Sequence, residues 1–176
     1  QNLSNVNTPG YRAAVNAFRA VPLVGEGLPT RTFVVDSTAG ADFIPGVMQP
    51  TGRNLDMAVQ GGGWIAIQME NGSEAYTRNG SFQVSPEGIL QTRAGLNVAG
   101  DAGLITIPPN TEVTVGKDGT ISTVPTGLPP NQVVLVGRTK LVNPAEVQMV
   151  RGDDGMFRTK DGKPAAADIA VKVAPG

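Results

Sequence analysis

A chain of 176 residues is long enough to bury a core without metal or disulfide support. It has no Cys and no His, which removes thiolate chemistry, disulfides and the commonest general base and metal ligand. Its 14 basic and 15 acidic residues leave no strong field for nucleic acid or anionic lipid.

The 23 Gly and 14 Pro exceed the usual combined share of roughly 12%, yet an apolar content of 40% is too high for disorder. Short strands joined by tight turns fit that balance. No stretch is apolar enough to span a membrane, and no basic-then-apolar leader is visible. The chain starts at Gln and reads as a trimmed fragment.

Along the chain, Thr8-Pro9-Gly10 is a turn signal, and Pro9 pushes Thr8 out of the helical region. Tyr11, Val15 and Phe18 recur at helical spacing, so residues 11–19 leave two readings open: a short helix, or an arm packed on the domain. Residues 21–53 are punctuated by Pro and Gly, and only 31–38 (RTFVVDST) offers a strand. The densest β signal is 55–84. Residues 64–69 alternate as a strand, with Ile65, Ile67 and Met69 on one face and Trp64, Ala66 and Gln68 on the other. Asn79-Gly80 suits a two-residue type I′ hairpin pairing Thr77 with Phe82 and Ala75 with Val84. Asn71-Gly72 allows either a similar hairpin or a longer loop, and the register stays open.

Beyond residue 86, short segments (ILQT, LNV, LITI, EVTV, TIST) alternate with turn signals, and Asp118-Gly119 predicts another hairpin. Residues 124–131 read as a rigid surface loop. Residues 132–142 form the longest strand candidate, with Val133, Leu135, Gly137, Thr139 and Leu141 as its core face. Turns at Asp153-Asp154-Gly155 and Asp161-Gly162 flank a short strand. The tail (167–176) alternates Ile169, Val171 and Val173 against polar or small residues and reads as a closing strand. The expected fold is mainly β: a single β-rich domain of short antiparallel strands and hairpins, a rolled sheet or barrel-like, with little helix.

No catalytic, cofactor or metal site emerges. Asp153, Asp154 and Asp161 lack the alternating ligands and closing Glu of a calcium loop, and Arg158 and Lys160 sit where ligands would be needed; a solvated turn explains them. Gly61-Gly62-Gly63 has neither phosphate-loop nor dinucleotide-loop spacing and reads as a turn or bulge. Nothing places Lys117 or Lys140 beside a Ser nucleophile, and eight aromatic residues make a poor sugar-stacking platform. Asn71-Gly72-Ser73 and Asn79-Gly80-Ser81 match the glycosylation acceptor pattern but are explained as turns.

Four segments in order carry a resemblance: NLSNVNTPGYR (2–12), GRNLDMAVQGGGWIAIQ (52–68), EAYTRNGSFQVSPEGIL (74–90), and GRTKLVNP with RGDDGMFR (137–158). Together the chain resembles bacterial flagellar rod and hook proteins, and residues 16–46 most resemble the proximal rod branch. The resemblance implies a non-enzymatic structural subunit, exported without signal cleavage by the flagellar export apparatus. Such subunits self-assemble with other rod proteins into the periplasm-spanning basal-body rod that transmits motor torque to the hook. It implies a family assembly motif over Asn2, Leu3, Ser4, Asn5, Val6, Asn7, Thr8, Pro9, Gly10 and Tyr11. It also implies an N-terminal arm and linker over 1–30, an outer β-rich domain over 31–176, and terminal axial helices missing from this chain. Trp64, Ile65, Ile67, Tyr76, Asn79, Gly80 and Phe82 are the expected structural β-core. No cofactor, nucleic acid or small-molecule substrate is implied, nor membrane insertion, and the chain is expected to be monomeric in solution. The alternatives are a distal rod or hook-type protein of the same family, or a β-rich carbohydrate-binding module.

Overall fold

The computed structural model describes residues 3–5, 7–22, 32–41, 48–127 and 132–176. The chain divides into two compact units, Gln1–Asn7 with Arg12–Ile44, and Thr8–Tyr11 with Pro45–Gly176.

In the first unit, Leu3–Asn5 makes one 3-10 turn. Strands β1 (Ala14–Pro22) and β2 (Thr32–Ala41) pair antiparallel, from Ala14 opposite Ala41 to Pro22 opposite Thr32, with a register shift between Val15 and Asn16. The helical spacing of Val15 and Phe18 is therefore not realised. Residues 14–22 and 32–41 are both rich in Val and Phe, which suit a pleated pair, and the long-range ladder overrides a weak local period.

The second unit begins with β3 (Met57–Gln60), β4 (Trp64–Gln68), β5 (Glu74–Thr77), β6 (Phe82–Val84), β7 (Leu90–Thr92), β8 (Asn97–Gly100) and β9 (Gly103–Leu104). It continues with β10 (Thr111–Val115), β11 (Thr120–Pro125), β12 (Val134–Arg138), β13 (Leu141–Val142), β14 (Met149–Arg151), β15 (Phe157–Thr159) and β16 (Lys172–Pro175). The largest sheet runs β14-β15-β5-β4-β8-β7-β6, with β13 added to β4 and β9 to β8. Separate sheets are formed by β10-β11-β12 and by β16-β3. The fold is thus mainly β and antiparallel, as the turn spacing implies, but among the described residues no sheet closes into a barrel.

Strand β4 is the centre. It pairs with β5 on one side and with β8 and β13 on the other. Ile65 and Ile67 enter the main core with Met57, Phe82, Leu90, Val98, Ile121 and Val173. Trp64 and Ala66, on the opposite face, are buried too, so this sheet is covered on both sides. Each large apolar side chain so buried contributes about 1.5–3 kcal/mol.

One turn design recurs. Between β4 and β5 the Met69 N–H meets the Ser73 carbonyl at 2.8 Å, and the Gly72 N–H meets the Met69 carbonyl at 2.9 Å. Gly72 has φ +80°. This is a three-residue loop, a type I turn followed by a left-handed glycine. Ile67 therefore opposes Ala75, which settles the register around Asn71-Gly72 in favour of the longer loop. The same bonding joins Gly116 to Thr120 around Gly119 and Gly152 to Met156 around Gly155. The hairpin at Asp118-Gly119 is thus present, joining β10 to β11.

Three expectations need correction. Asn79-Gly80 is not a hairpin turn: β5 pairs with β4 and β15, while β6 pairs with β7, so Phe82 faces Thr92 and not Thr77. Neither Asn79 nor Gly80 has positive φ, which type I′ requires at both positions. Residues 132–142 are not one strand with one inner face. A bulge leaves Val136 without a partner between the pairs Ile121–Gly137 and Ser122–Leu135. The extra residue interrupts the alternation, and the strand's start lies open on both faces: Val133, Val134 and Leu135 are all exposed, Leu135 by 68%, while Thr139 and Leu141 are buried. Ile169 is likewise 71% exposed. It lies in a turn where Asp168 accepts the Ala170 N–H at 2.8 Å, ahead of β16.

Candidate functional site

The Thr8–Tyr11 corner is the part of the expected assembly motif that belongs to the β unit. Its turn is closed by the Tyr11 N–H on the Thr8 carbonyl at 3.1 Å. Gly10 has φ +69°, and a Cβ there would lie 2.5 Å from the Asn79 nitrogen and 2.6 Å from the Arg78 oxygen. Glycine is needed on both counts: the backbone is left-handed, and the corner sits directly on the chain at Arg78 and Asn79. Tyr11 is further held by Arg151, whose guanidinium carbon is 4.7 Å from the ring centroid.

Arg78 organises the surface beneath. Its Nε donates to the Gly63 carbonyl at 2.9 Å, its Nη2 donates to the Gly61 carbonyl, and its guanidinium carbon lies 5.5 Å from the Trp64 ring centroid. The three-glycine turn between β3 and β4 is therefore a carbonyl acceptor for arginine. Trp64, only 3% exposed, packs on Phe157 with centroids 4.4 Å apart and planes at 43°. Phe157 in turn pairs with Tyr76 and Arg151 across the sheet. The Arg151 contact on Tyr11, the Arg151–Phe157 strand pairing and the Phe157 ring on Trp64 thus link the corner to the centre of the sheet.

Asn79 and Gly80 shape this surface by close packing. The Thr77 hydroxyl accepts the Asn79 N–H at 3.0 Å, and the Asn79 Oδ1 accepts the Ser81 N–H at 3.1 Å. Gly80 is buried against β3: its carbonyl accepts the Met57 N–H at 2.9 Å, and a Cβ would overlap the Met57 carbonyl. Nearby, Asp56 is buried with Arg53 at 2.5 Å and the Thr51 hydroxyl at 2.7 Å on its Oδ2.

Tyr76 is 1% exposed. Its hydroxyl donates to Glu74 at 3.0 Å and accepts the Ala165 N–H at 2.7 Å. Burial, with the Glu74 carboxylate adding to it, pushes the phenol up to about 12. Glu74 also holds Lys140 at 2.7 Å. These groups tie β5 to the chain near 140 and 165, and each carries a structural partner. Asp154 bonds Arg158 at 2.6 Å, which holds its carboxyl below the usual range, and the Lys163 N–H does the same for Asp161.

Of the expected residues, Trp64, Ile65, Ile67, Tyr76 and Phe82 are buried in the sheet, and Gly80 is buried beside it. Gly10 seats the Thr8–Tyr11 turn on the backbone of Arg78 and Asn79, and Tyr11 lies under Arg151. Leu3 is exposed, and Asn2 and Val6 lie outside the described residues. Sequence reasoning missed Arg78 and Arg151 as the residues that hold the corner. Their signal was their place inside EAYTRNGSF and at the head of RGDDGMFR, segments already singled out.

Residues 58–123 match the family model described as flagellar hook protein FlgE/F/G D1 domain. The chain is 54% identical over 157 residues to the flagellar basal-body rod protein FlgF of Escherichia coli K12, covering 89% of this chain and 62% of that protein. It is 47% identical over 181 residues to FlgF of Salmonella typhimurium LT2, covering 99% of this chain and 72% of that protein.

The chain belongs to the flagellar basal-body rod protein family.

A rod protein FlgG, from Buchnera aphidicola of Acyrthosiphon pisum, is 30% identical over 81% of this chain and 59% of its own length. The chain thus spans 59% to 72% of the length of these relatives. Among the described residues no helix is long and apolar enough to cross a membrane.

Proposed function

We propose that this protein is a structural subunit of the bacterial flagellar rod, of the FlgF type. It assembles with copies of itself and with other rod proteins into the shaft that carries torque across the periplasm. It performs no catalysis and needs no cofactor. The observation that carries this reading is the seating of the Thr8–Tyr11 corner. The family motif makes backbone contact at Gly10 and a cation–π contact at Arg151, and behind it lies a sheet buried on both faces. A torque-bearing subunit needs such a stiff path from its axial segment into its outer domain. Export by the flagellar apparatus, without a cleaved leader, follows from the same reading.

The test is complementation of a strain lacking the full-length gene. Wild-type protein restores complete basal bodies and motility. Gly10→Val, which strains the left-handed backbone and strikes Asn79, leaves the protein exported but the rods short or absent. Normal rods in the deletion strain would refute the proposal. The chain itself is monomeric at micromolar concentration in this account, and a tight oligomer in sedimentation would contradict that part of it.

A further inference from the structure

The two Asn-Gly pairs occupy opposite environments. Asn71 and Gly72 are exposed at the tip of the β4–β5 hairpin, and a Cβ on Gly72 would meet nothing within 4 Å. The Asn71 Oδ1 accepts the Ser73 N–H at 3.0 Å and the Ser73 hydroxyl at 2.6 Å. Two donors on an amide oxygen draw electron density from its carbon. They also stand where negative charge gathers when a nucleophile adds. The neighbouring glycine nitrogen has no side chain to shield it. Gly80, by contrast, is buried against Met57, with its carbonyl bonded to the Met57 N–H.

We propose that Asn71 is a site of spontaneous deamidation in the folded protein, and that the fold protects Asn79 from the same reaction. Solvent base removes the Gly72 amide proton, and the nitrogen attacks Asn71 Cγ. The new N–Cγ bond closes a succinimide ring, the Cγ–Nδ2 bond breaks, and ammonia leaves with a proton from solvent. Water then opens the ring at either carbonyl, giving aspartate or isoaspartate. No electrons change hands. The Gly72 N–H must first leave the Met69 carbonyl. An exposed three-residue loop opens far more often than the packed segment holding Gly80.

The consequence is local but permanent. Either product adds a negative charge next to Glu70. Isoaspartate also adds a methylene to the main chain, in the turn that sets the β4–β5 register. The modified fraction therefore grows with the age of the folded chain.

The test incubates the folded protein at mildly alkaline pH and body temperature, then maps peptides by mass spectrometry with isoaspartyl methyltransferase labelling. The folded protein converts Asn71 at least about tenfold faster than Asn79, and unfolding in urea abolishes most of the difference. Ser73→Ala, with its melting temperature checked, slows conversion at Asn71 by about fivefold through loss of one donor. Equal rates at both sites in the folded protein would overturn the proposal. So would conversion of Asn71 only in urea. An unchanged rate in Ser73→Ala would overturn the role given to the hydroxyl.

Discussion

Replacing Gly80 with alanine should destabilise the β unit by about 3 kcal/mol. The added Cβ would lie 2.7 Å from the Met57 carbonyl carbon and closer still to its oxygen. Both are backbone atoms, so no side-chain rotation relieves the clash. β3 must move away by more than an ångström. That breaks the bond from the Met57 N–H to the Gly80 carbonyl, a loss of about 1 kcal/mol or more in a buried setting. It also displaces Met57, 4% exposed, from the core, which overpacking data place at about 1–3 kcal/mol. Gly80→Asn should cost as much. In a type I′ hairpin, asparagine would be tolerated there. Gly72→Ala is the control: with φ +80° and open space around it, it should cost only about 1–2 kcal/mol. Urea unfolding followed by fluorescence of Trp64, the single tryptophan, measures all three. The matching drop in melting temperature for Gly80→Ala is about 6–12 °C. A loss below about 1 kcal/mol for Gly80→Ala, or a much milder Gly80→Asn, would refute the close-packing account.

A double-mutant cycle between Tyr11→Leu and Arg151→Met should show a coupling of about 0.5–1 kcal/mol, with limited proteolysis near residue 8 rising in each variant; additivity would remove Arg151 from the corner. Lys140→Met should cost about 2 kcal/mol, because it leaves the half-buried Glu74 carboxylate without its cation, and Glu74→Gln in the same background should recover part of that loss in urea unfolding. Tyr76 predicts an alkaline limit. Its folded value of about 12 lies above the unfolded value near 10, so the folded state keeps a proton that the unfolded chain loses. That contribution is complete below about pH 10 and is lost as pH rises toward 12. In Tyr11→Phe, which leaves Tyr76 as the lone tyrosine, tyrosinate absorbance should appear only with unfolding; a reversible midpoint near 10 in folded protein would contradict it.

Much of the fold is legible in the sequence because each turn carries its own chemistry. Asp118-Gly119 and Asp154-Gly155 supply a turn acceptor and a left-handed residue side by side, and both turns form. The Ile65 and Ile67 alternation likewise places β4. What misled at Asn79-Gly80 was the assumption that a turn dipeptide must be satisfied locally. There glycine answers a neighbour 23 positions earlier, Met57, which no local pattern encodes. The bulge at Val136 escaped for a related reason: one extra residue interrupts the alternation, and its position depends on the partner strand. The helical spacing at Tyr11, Val15 and Phe18 lost to a ladder with 32–41 that periodicity cannot see. The corner itself was visible as a motif, but its seat on Arg78, Asn79 and Arg151 required three distant segments to be brought together.

High-resolution electron cryomicroscopy of basal bodies isolated with their native full-length subunit tests the central claim most directly. The account predicts density for this chain in the rod, with its β unit in the outer layer and Thr8–Tyr11 seated on Arg78 and Asn79. Absence of the chain from the rod, in particles whose rods are complete, would contradict it.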